Sequence, residues 1–216
     1  MTAIKTYLNS LSDDITTLDI SGKSITSLPD LTRFKNLEKF NCSYNQLTSL
    51  TLPQNLKILD CDNNKLTSLT LPQNLEVLNC YHNQLTSLTL PQNLEIVHCN
   101  NNKLTSLTLP QNLQVLYCSN NQLTSLTLQQ NLRELDYYNN PIYEIVNNDS
   151  LIKIKQNIQI LNNFRYLYYS LKFKKQLRKW LWEKVREPKI KKLYDPIYLI
   201  NLKEDDDLDT FLDNWK

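Results

Sequence analysis

The stretch NLKILDCDNNKLTSLTLPQ, residues 55–73, is followed directly by NLEVLNCYHNQLTSLTLPQ, residues 74–92, and by NLEIVHCNNNKLTSLTLPQ, residues 93–111. The three segments have the same length and share most of their residues. A sequence that repeats with a fixed period indicates units stacked in one direction, not one or two compact domains. Related units run from Ile15 to Asp149, and the first is three residues longer than the others. The six full units start at Asn36, Asn55, Asn74, Asn93, Asn112 and Asn131.

Apolar residues recur at fixed positions of the unit when the residue after the opening asparagine is counted as position 1. They occupy positions 1, 4, 6, 11, 14 and 16, and an asparagine occupies position 9. This arrangement, L-x-x-L-x-(L/C)-x-x-N-x-L, resembles the leucine-rich repeat family. The resemblance implies a right-handed solenoid in which each L-x-L segment is a short strand. The strands would then stack into a parallel β-sheet on the concave side.

The second half of each unit predicts the convex side. A period of nineteen residues leaves too few residues after the strand and its turn for a return helix. The segment LTSLTLPQ also contains β-branched residues and a proline, which disfavour a helix. We therefore expect an extended, helix-free convex side. The sequence LPQNL at residues 71–75 resembles the L-P-x-x-L of the bacterial-effector class of these repeats.

Side chains at inward positions are predicted to form ladders along the solenoid. A repeat one coil thick cannot bury a core alone, so each leucine packs on its counterparts in the neighbouring units. An asparagine amide at position 9 can satisfy buried backbone groups in a turn that has no other partners. Lys23 replaces it in the first unit, which predicts a more exposed turn there. The predicted structural ladder comprises Asn45, Asn64, Asn83, Asn102, Asn121 and Asn140, with Cys42, Cys61, Cys80, Cys99 and Cys118 at position 6.

The five cysteines are predicted to be structural. Inward-facing thiols on adjacent strands would form a buried column with a spacing of about 4.8 Å. A disulfide or metal site is the alternative, but the number is odd and zinc sites need local clusters of four ligands. A thiol in the place of a leucine acts as a small hydrophobe. We therefore expect no metal and no cofactor.

Cysteine use and the lack of targeting signals bear on localisation. Five free thiols favour a reducing compartment. The start MTAIKTYLNSLSDD lacks the apolar core of a signal peptide, and no apolar run reaches membrane-spanning length. We therefore expect a cytoplasmic protein, and the cytoplasm of a host cell is one such reducing compartment.

Positions that vary between units are where a function is expected. Positions 2, 3, 5, 7 and 8 are predicted to point outward, and position 3 forms an aliphatic stripe with a polar rim, which is typical of a surface that binds a protein. The alternative is that β-branched residues merely suit a strand. A self-complementary patch could also close a homodimer. The predicted partner-binding residues are Ile58, Val77, Ile96, Val115, Asp60, Asn79, His98, Tyr117, Tyr81, His82 and Tyr138.

The same face offers no catalytic arrangement. His82 and His98 lie at different positions of neighbouring units, which predicts Cα atoms roughly 11 Å apart, too far for one metal. The expected neighbours of His98 are Asn79 and Tyr117, so neither a nucleophile nor an orienting carboxylate completes a triad. With Gly22 as the only glycine, a glycine-rich phosphate loop is impossible. We expect no enzymatic activity.

Both flanks are predicted to cover the ends of the solenoid. Residues 1–14 form a short capping helix in this interpretation, residues 15–149 the solenoid, and residues 150–216 an α-helical C-terminal domain. Leu151 and Ile154 fall in phase with the repeats, which predicts one last edge strand. The segment 157–188 has apolar residues at helical spacing and is predicted to end at Pro188. Shorter helices are expected at residues 189–194, after Pro196, and at 206–215.

Charge is segregated in the C-terminal part. Residues 150–200 contain thirteen Lys and Arg and three acids, whereas residues 201–216 contain two lysines and six acids. A basic, aromatic-rich helix could bind nucleic acid or an anionic membrane. The interpretation that we prefer is a solvated face, or one neutralised by the acidic tail, with the tryptophans as the core of a helical cap. The region has no cysteine, so the ubiquitin-ligase activity of some bacterial effectors is not expected.

The sequence therefore predicts a non-enzymatic repeat protein that binds a protein partner on its concave face, with host proteins among the candidate partners. The alternative is a protein that binds nucleic acid or an anionic membrane through residues 150–200. The chain has one glycine and an excess of Asn, Lys, Ile, Leu and Tyr. This composition and the C-terminal tail resemble repeat proteins of large DNA viruses of protists, which implies a viral protein.

Overall fold

The computed structural model describes residues 2–146 and 150–181. These residues form an N-terminal helix, seven short strands and three further helices. The elements are α1 (Thr2–Asn9), β1 (Thr17–Asp19), β2 (Lys39–Asn41), β3 (Ile58–Asp60), β4 (Val77–Asn79), β5 (Ile96–His98), β6 (Val115–Tyr117), β7 (Glu134–Asp136), α2 (Tyr143–Val146), α3 (Leu151–Lys172) and α4 (Lys174–Leu181).

The seven strands form one parallel sheet whose strand order follows the chain. Each strand covers positions 3 to 5 of its unit and pairs with the same positions of the next unit, as in Ile58 with Val77 and Val77 with Ile96. The three extra residues of the first unit fall after its strand, because Thr17 still pairs with Lys39 at position 3. The leucine-rich repeat solenoid predicted from the period is confirmed.

The core is a set of columns that run from unit to unit. In the unit that begins at Asn55, the side chains of Leu56, Leu59, Cys61 and Leu66 are fully buried, and those of Leu69 and Leu71 nearly so. Corresponding residues of the other units belong to the same continuous cluster. Each unit therefore contributes one layer and is stabilised by the layers on both sides.

The asparagine at position 9 joins adjacent units through its amide. The Nδ2 group of Asn83 donates to the Cys61 carbonyl of the preceding unit at 3.0 Å and to the Cys80 carbonyl of its own unit at 3.2 Å. Its Oδ1 accepts from the Leu66 backbone N–H at 2.9 Å. Asn45, Asn64, Asn102, Asn121 and Asn140 repeat this pattern. Removing one amide would leave buried backbone groups of two units without partners.

The turn after each strand needs a left-handed backbone at position 8. Gly22 has a φ of 63° there, and the other units have φ between 50° and 55°. Asparagine adopts this conformation more readily than most other residues, whereas it is uncommon for a bulky one. Four units place asparagine at this position, and the exceptions are Tyr44 and His82.

The convex side is extended. No helix occurs between Asn9 and Tyr143, and consecutive units are linked on this side by backbone hydrogen bonds such as Lys65 N–H to the Leu47 carbonyl at 2.9 Å. The threonines and serine of the TSLT segment are exposed in most units, while its leucine is buried.

Helix α1 packs on the first unit. Leu8 is buried, and Ile4 and Leu11 are partly buried against the core. The Arg33 guanidinium donates to the carbonyls of Leu8 and Leu11 and forms an ion pair with Asp13 at 2.8 Å. These contacts hold the C-terminal end of α1, whose carbonyls lack partners within the helix.

The prediction of an edge strand at Leu151 and Ile154 is wrong, because both residues lie in α3. Ile154 and Ile158 are buried and Leu161 is partly buried, a spacing of four and three residues that suits a helix. The Lys155 ammonium donates to the Gln130 and Leu132 carbonyls at 3.0 and 2.8 Å. The start of α3 therefore covers the last repeat, which itself ends in the short helix α2.

The chain divides into two compact units between Asn162 and Asn163, within α3. The predicted domain limits 1–14, 15–149 and 150–216 stay predictions. The helix expected for 157–188 is interrupted at Phe173, between α3 and α4. Its end at Pro188, the helices expected at 189–194, after Pro196 and at 206–215, and the acidic tail lie outside the described residues.

Candidate protein-binding surface

The outward residues at position 3 form a straight aliphatic stripe across the middle of the sheet. Ile58, Val77, Ile96 and Val115 are direct partners on adjacent strands. The sequence predicts exposed side chains, but each is half-buried, because neighbours in the stripe cover one another's flanks. Lys39 and Glu134 occupy the same position in β2 and β7, so a charge stands at each end of the stripe.

A polar column at position 5 runs parallel to the stripe. Asp60, Asn79, His98 and Tyr117 are sheet neighbours in this order. The Asn79 amide donates to the Asp60 carboxylate at 3.1 Å. Backbone pairing thus brings together four of the predicted binding residues beside the aliphatic ones.

The rings of His98 and Tyr117 stack in this column. Their centroids are 4.6 Å apart and their planes differ by 7°. The Tyr117 hydroxyl donates to the Glu134 carboxylate at 2.7 Å, and this bond raises the pKa of Tyr117. Burial lowers the pKa of His98, although the Glu134 carboxylate opposes the shift. The His98 ring and its stacked neighbour form a flat aromatic surface near the C-terminal end of the sheet.

The sequence predicts that position 7 points outward, and this is wrong in three of the units. Ser43, Asp62 and Ser119 are buried at this position, whereas Tyr81 and Tyr138 are exposed. The chain turns directly after position 7, so a short side chain is covered by adjacent turns and a tyrosine extends beyond them.

Asp60 and Asp62 form a close acidic pair beside the stripe. The Asp62 N–H donates to the Asp60 carboxylate at 3.2 Å. Burial, and secondarily the Asp62 charge, raise the pKa of Asp60, although the Asp62 N–H and Asn79 amide oppose the shift. Within the described residues, Asp62 Oδ1 is buried without a hydrogen-bond partner.

The remaining predicted residues lie in turns at the edge of the sheet. Tyr81 and His82 follow β4, and their rings are tilted with centroids 5.7 Å apart. Tyr138 follows β7 and accepts a hydrogen bond from the Asn120 amide at 3.2 Å. It lines an open groove of about 510 Å³ at the end of the repeats. The groove also contains Tyr117, Arg133, Glu134, Asp136, Tyr137 and Tyr143.

A second groove, of about 520 Å³, lies where the first strands begin, and none of the residues predicted to bind a partner line it. Asparagines that open the units line it together with residues at position 2. The Lys57 ammonium lies 2.8 Å from the Glu38 carboxylate, which raises the pKa of Lys57. The acid that recurs at position 2, in Glu38, Glu76 and Glu95, is the sequence feature from which this groove could have been predicted.

The cysteines lie behind the sheet, at the inward position after each strand. All five are free and buried. Burial raises the pKa of every thiol, that of Cys99 to about 12. Within residues 2–146 and 150–181, no three metal-ligating side chains lie together in a way that could hold an ion. Over the same residues, no helix combines the length and the apolar character that crossing a membrane requires.

Comparison with known protein families supports the repeat architecture. The model of the Leucine Rich Repeat family matches residues 112–129. No curated protein shows significant sequence similarity to this chain.

Several solved structures are similar. The LRR domain of a Shigella effector is 33% identical over 68% of this chain and 69% of that chain, with a TM-score of 0.57. The leucine-rich effector YopM from Yersinia pestis is 33% identical over 59% of this chain, with a TM-score of 0.54. The functional domain of InlJ from Listeria monocytogenes, which includes a cysteine ladder, is 30% identical over 58% of this chain, with a TM-score of 0.49. The chain spans 38% of the YopM chain and 35% of the InlJ chain. The recurring L-x-x-L-x-(L/C)-x-x-N-x-L unit, the parallel sheet and the similarity to the Shigella domain and YopM establish that the chain belongs to the leucine-rich repeat family and resembles the repeat domains of bacterial effectors.

Proposed function

We propose that this protein is a non-enzymatic scaffold that binds a protein partner on its concave sheet. Solenoids of this family generally serve as interaction scaffolds. The observation that carries the proposal is the stripe of half-buried aliphatic side chains in register on β3 to β6, from Ile58 to Val115. Apolar area bordered by polar groups is typical of protein interfaces.

The residues around the stripe support the same conclusion. His98 and Tyr117 present stacked rings, and Tyr81 and Tyr138 are exposed at the adjacent edge. Tyrosine offers a large contact area, has a polar end, and is enriched in binding sites. The interior is nearly uniform from unit to unit, whereas these outward positions differ, so the partner is recognised by the variable face.

The similarity to effector domains supports a role directed at a host protein. The Shigella domain and YopM are both described as effectors, and each is 33% identical to this chain. A host-directed scaffold would work in a cytoplasm, where the five free thiols of the core stay reduced.

Affinity capture with matched variants tests the proposal. In the double variant Val77→Lys with Ile96→Lys, two charges replace the centre of the stripe, so proteins retained by the wild type should be lost. The thermal midpoint should fall only modestly, because both side chains are half-buried on the sheet surface and lie outside the core columns. The control is Thr86→Lys with Thr105→Lys, which adds the same charge at exposed sites on the convex side. Equal capture by both double variants would refute a binding role for the stripe.

A second candidate function rests on the C-terminal helices. Residues 150–181 contain eight Lys and Arg and no Asp or Glu, which favours contact with nucleic acid or an anionic membrane. Retention of the intact protein on heparin at low salt, and its loss in Lys174→Glu with Lys175→Glu, would support this function. Retention unchanged by these substitutions would exclude the segment as the site.

A further inference from the structure

The concave sheet is acidic on both sides of the aliphatic stripe. At position 2, where the strands begin, the acids are Glu38, Glu76 and Glu95 and the bases are Lys57 and Arg133. At position 5 the acids Asp19, Asp60 and Asp136 alternate with neutral residues. Lys57 is paired with Glu38 at 2.8 Å. In the described part of the chain, neither Glu76 nor Glu95 is in a salt bridge. The centre of the sheet thus presents apolar side chains with Glu76 and Glu95 on one side and Asp60 on the other.

The described C-terminal helices have the opposite character. Lys172, Lys174 and Lys175 are exposed at the junction of α3 and α4. Tyr169 and Phe173 lie beside them, 55% and 44% exposed, with rings stacked at a centroid distance of 6.3 Å. This basic segment, residues 165–179, combines exposed aromatic area with positive charge and contains no acid.

We propose that the concave sheet of one copy of this protein binds the basic segment of a second copy. The inference rests on the proposed function and names its partner. Positions 2 and 5 are three residues apart along a strand, so the acidic rows are separated by roughly 10 Å. A helix with its side chains is about 10–12 Å wide. The aromatic rings can therefore lie on the aliphatic stripe while lysines reach Glu76 and Glu95 on one side and Asp60 on the other, as when an amphipathic helix binds in a groove.

Two different surfaces meet in this contact, so a pair of copies retains one free concave sheet and one free basic segment after the first association. Such an arrangement extends into rings or chains unless two copies exchange segments. The molar mass should therefore rise with protein concentration. The contact should also weaken with salt, because the Debye length falls from about 10 Å at 0.1 M to about 3 Å at 1 M.

Sedimentation equilibrium of the intact chain tests the inference through a charge exchange. The wild type should associate at 0.1 M salt and dissociate at 1 M. Glu76→Lys with Glu95→Lys removes the acidic surface, and Lys174→Glu with Lys175→Glu removes the basic one, so each double variant should be monomeric alone. An equimolar mixture of the two should associate, since one variant supplies an intact basic segment and the other an intact acidic sheet.

The control variant Lys65→Glu with Lys103→Glu changes the same charge at exposed turn positions and should associate like the wild type. Circular dichroism should show that all variants are folded. A wild type that stays monomeric at 0.1 M salt overturns the inference, as does a monomeric mixture. A monomer that instead binds heparin or anionic vesicles through Lys174 and Lys175 assigns the segment to another partner. The wild type could be monomeric and still capture a protein that the variant Val77→Lys with Ile96→Lys does not capture. That result would support the proposed function and exclude self-association.

Discussion

At the scale of single residues, the cysteine column shows how position determines a role. The five thiols are buried at the inward position after each strand, where leucine is usual in this repeat. Burial raises the pKa of the Cys80 thiol well above its ordinary value of 9.0. A thiol that stays protonated and inaccessible is a weak nucleophile, so these cysteines are packing groups.

Replacing Cys80 by alanine should lower the free energy of unfolding by about 1–2 kcal/mol, because a small buried side chain leaves an unfilled volume. Chemical denaturation measures the loss, and partner capture should persist in the folded fraction. All five thiols should react slowly with an aromatic disulfide reagent until the protein unfolds. Rapid reaction in the native state would contradict the burial of this column.

The ionised carboxylate of Asp60 destabilises the folded state. Partial burial and the neighbouring Asp62 raise its pKa above the ordinary value of 3.8. The folded state therefore keeps the Asp60 proton to a higher pH than the unfolded state does, in the pH window that begins near 3.8 and extends above it. Folding stability falls across the window and the deficit persists at neutral pH.

The variant Asp60→Asn should remove this cost. Its thermal midpoint should exceed that of the wild type at pH 7, and the two should converge below pH 3.8, where Asp60 is protonated in both states of the wild type. Thermal unfolding followed between pH 3 and pH 7 gives the comparison. A difference between the two proteins that does not depend on pH would show that the charge of Asp60 is not its cause.

At the scale of elements, the turn after each strand selects its residue by backbone conformation. Position 8 has a positive φ in every unit, and Tyr44 has a φ of 53° and is 65% exposed. A bulky residue is disfavoured in this region, at a cost of about 1–2 kcal/mol. Because Asn63 adopts the same conformation in the next unit, asparagine fits the turn.

Tyr44→Asn should therefore stabilise the protein by roughly 1 kcal/mol. The reverse substitution, Asn63→Tyr, should destabilise it by a similar amount. Both are measured by urea denaturation. If Tyr44→Asn is destabilising, the tyrosine ring makes contacts that outweigh the strain of its backbone.

The sequence predicted the strands and their register because one period sets both. It predicted helices in the C-terminal part but placed the first of them too late: helix α2 was not predicted, and Leu151 and Ile154, which continue the repeat phase by coincidence, were assigned to an edge strand. The decisive signal was the spacing from Ile154 to Ile158 and Leu161, which belongs to a helix, together with the missing asparagine of a further turn. A period of nineteen residues and a helical period agree over short stretches, and only the longer run separates them.

At the scale of the whole molecule, the repeats separate a uniform interior from a variable surface. Strand pairing brings Ile58, Val77, Ile96 and Val115 into one stripe, and the period alone predicted that alignment. The stacking of His98 on Tyr117 and the burial of Asp62 depend on rotamers and on the path of the turn, which a period does not specify. Sequence therefore predicts which residues share a face more reliably than how far each is exposed.

The central claim is that a protein partner lies on the concave sheet, and site-specific photo-crosslinking tests it most directly. A benzophenone amino acid placed at Val77 or Ile96 should crosslink the partner in a stoichiometric complex. The same amino acid at Thr86 or Thr105, exposed on the convex side, should give no crosslink. Crosslinks from Thr86 or Thr105 with none from Val77 or Ile96 would contradict the account and place the partner on the opposite surface.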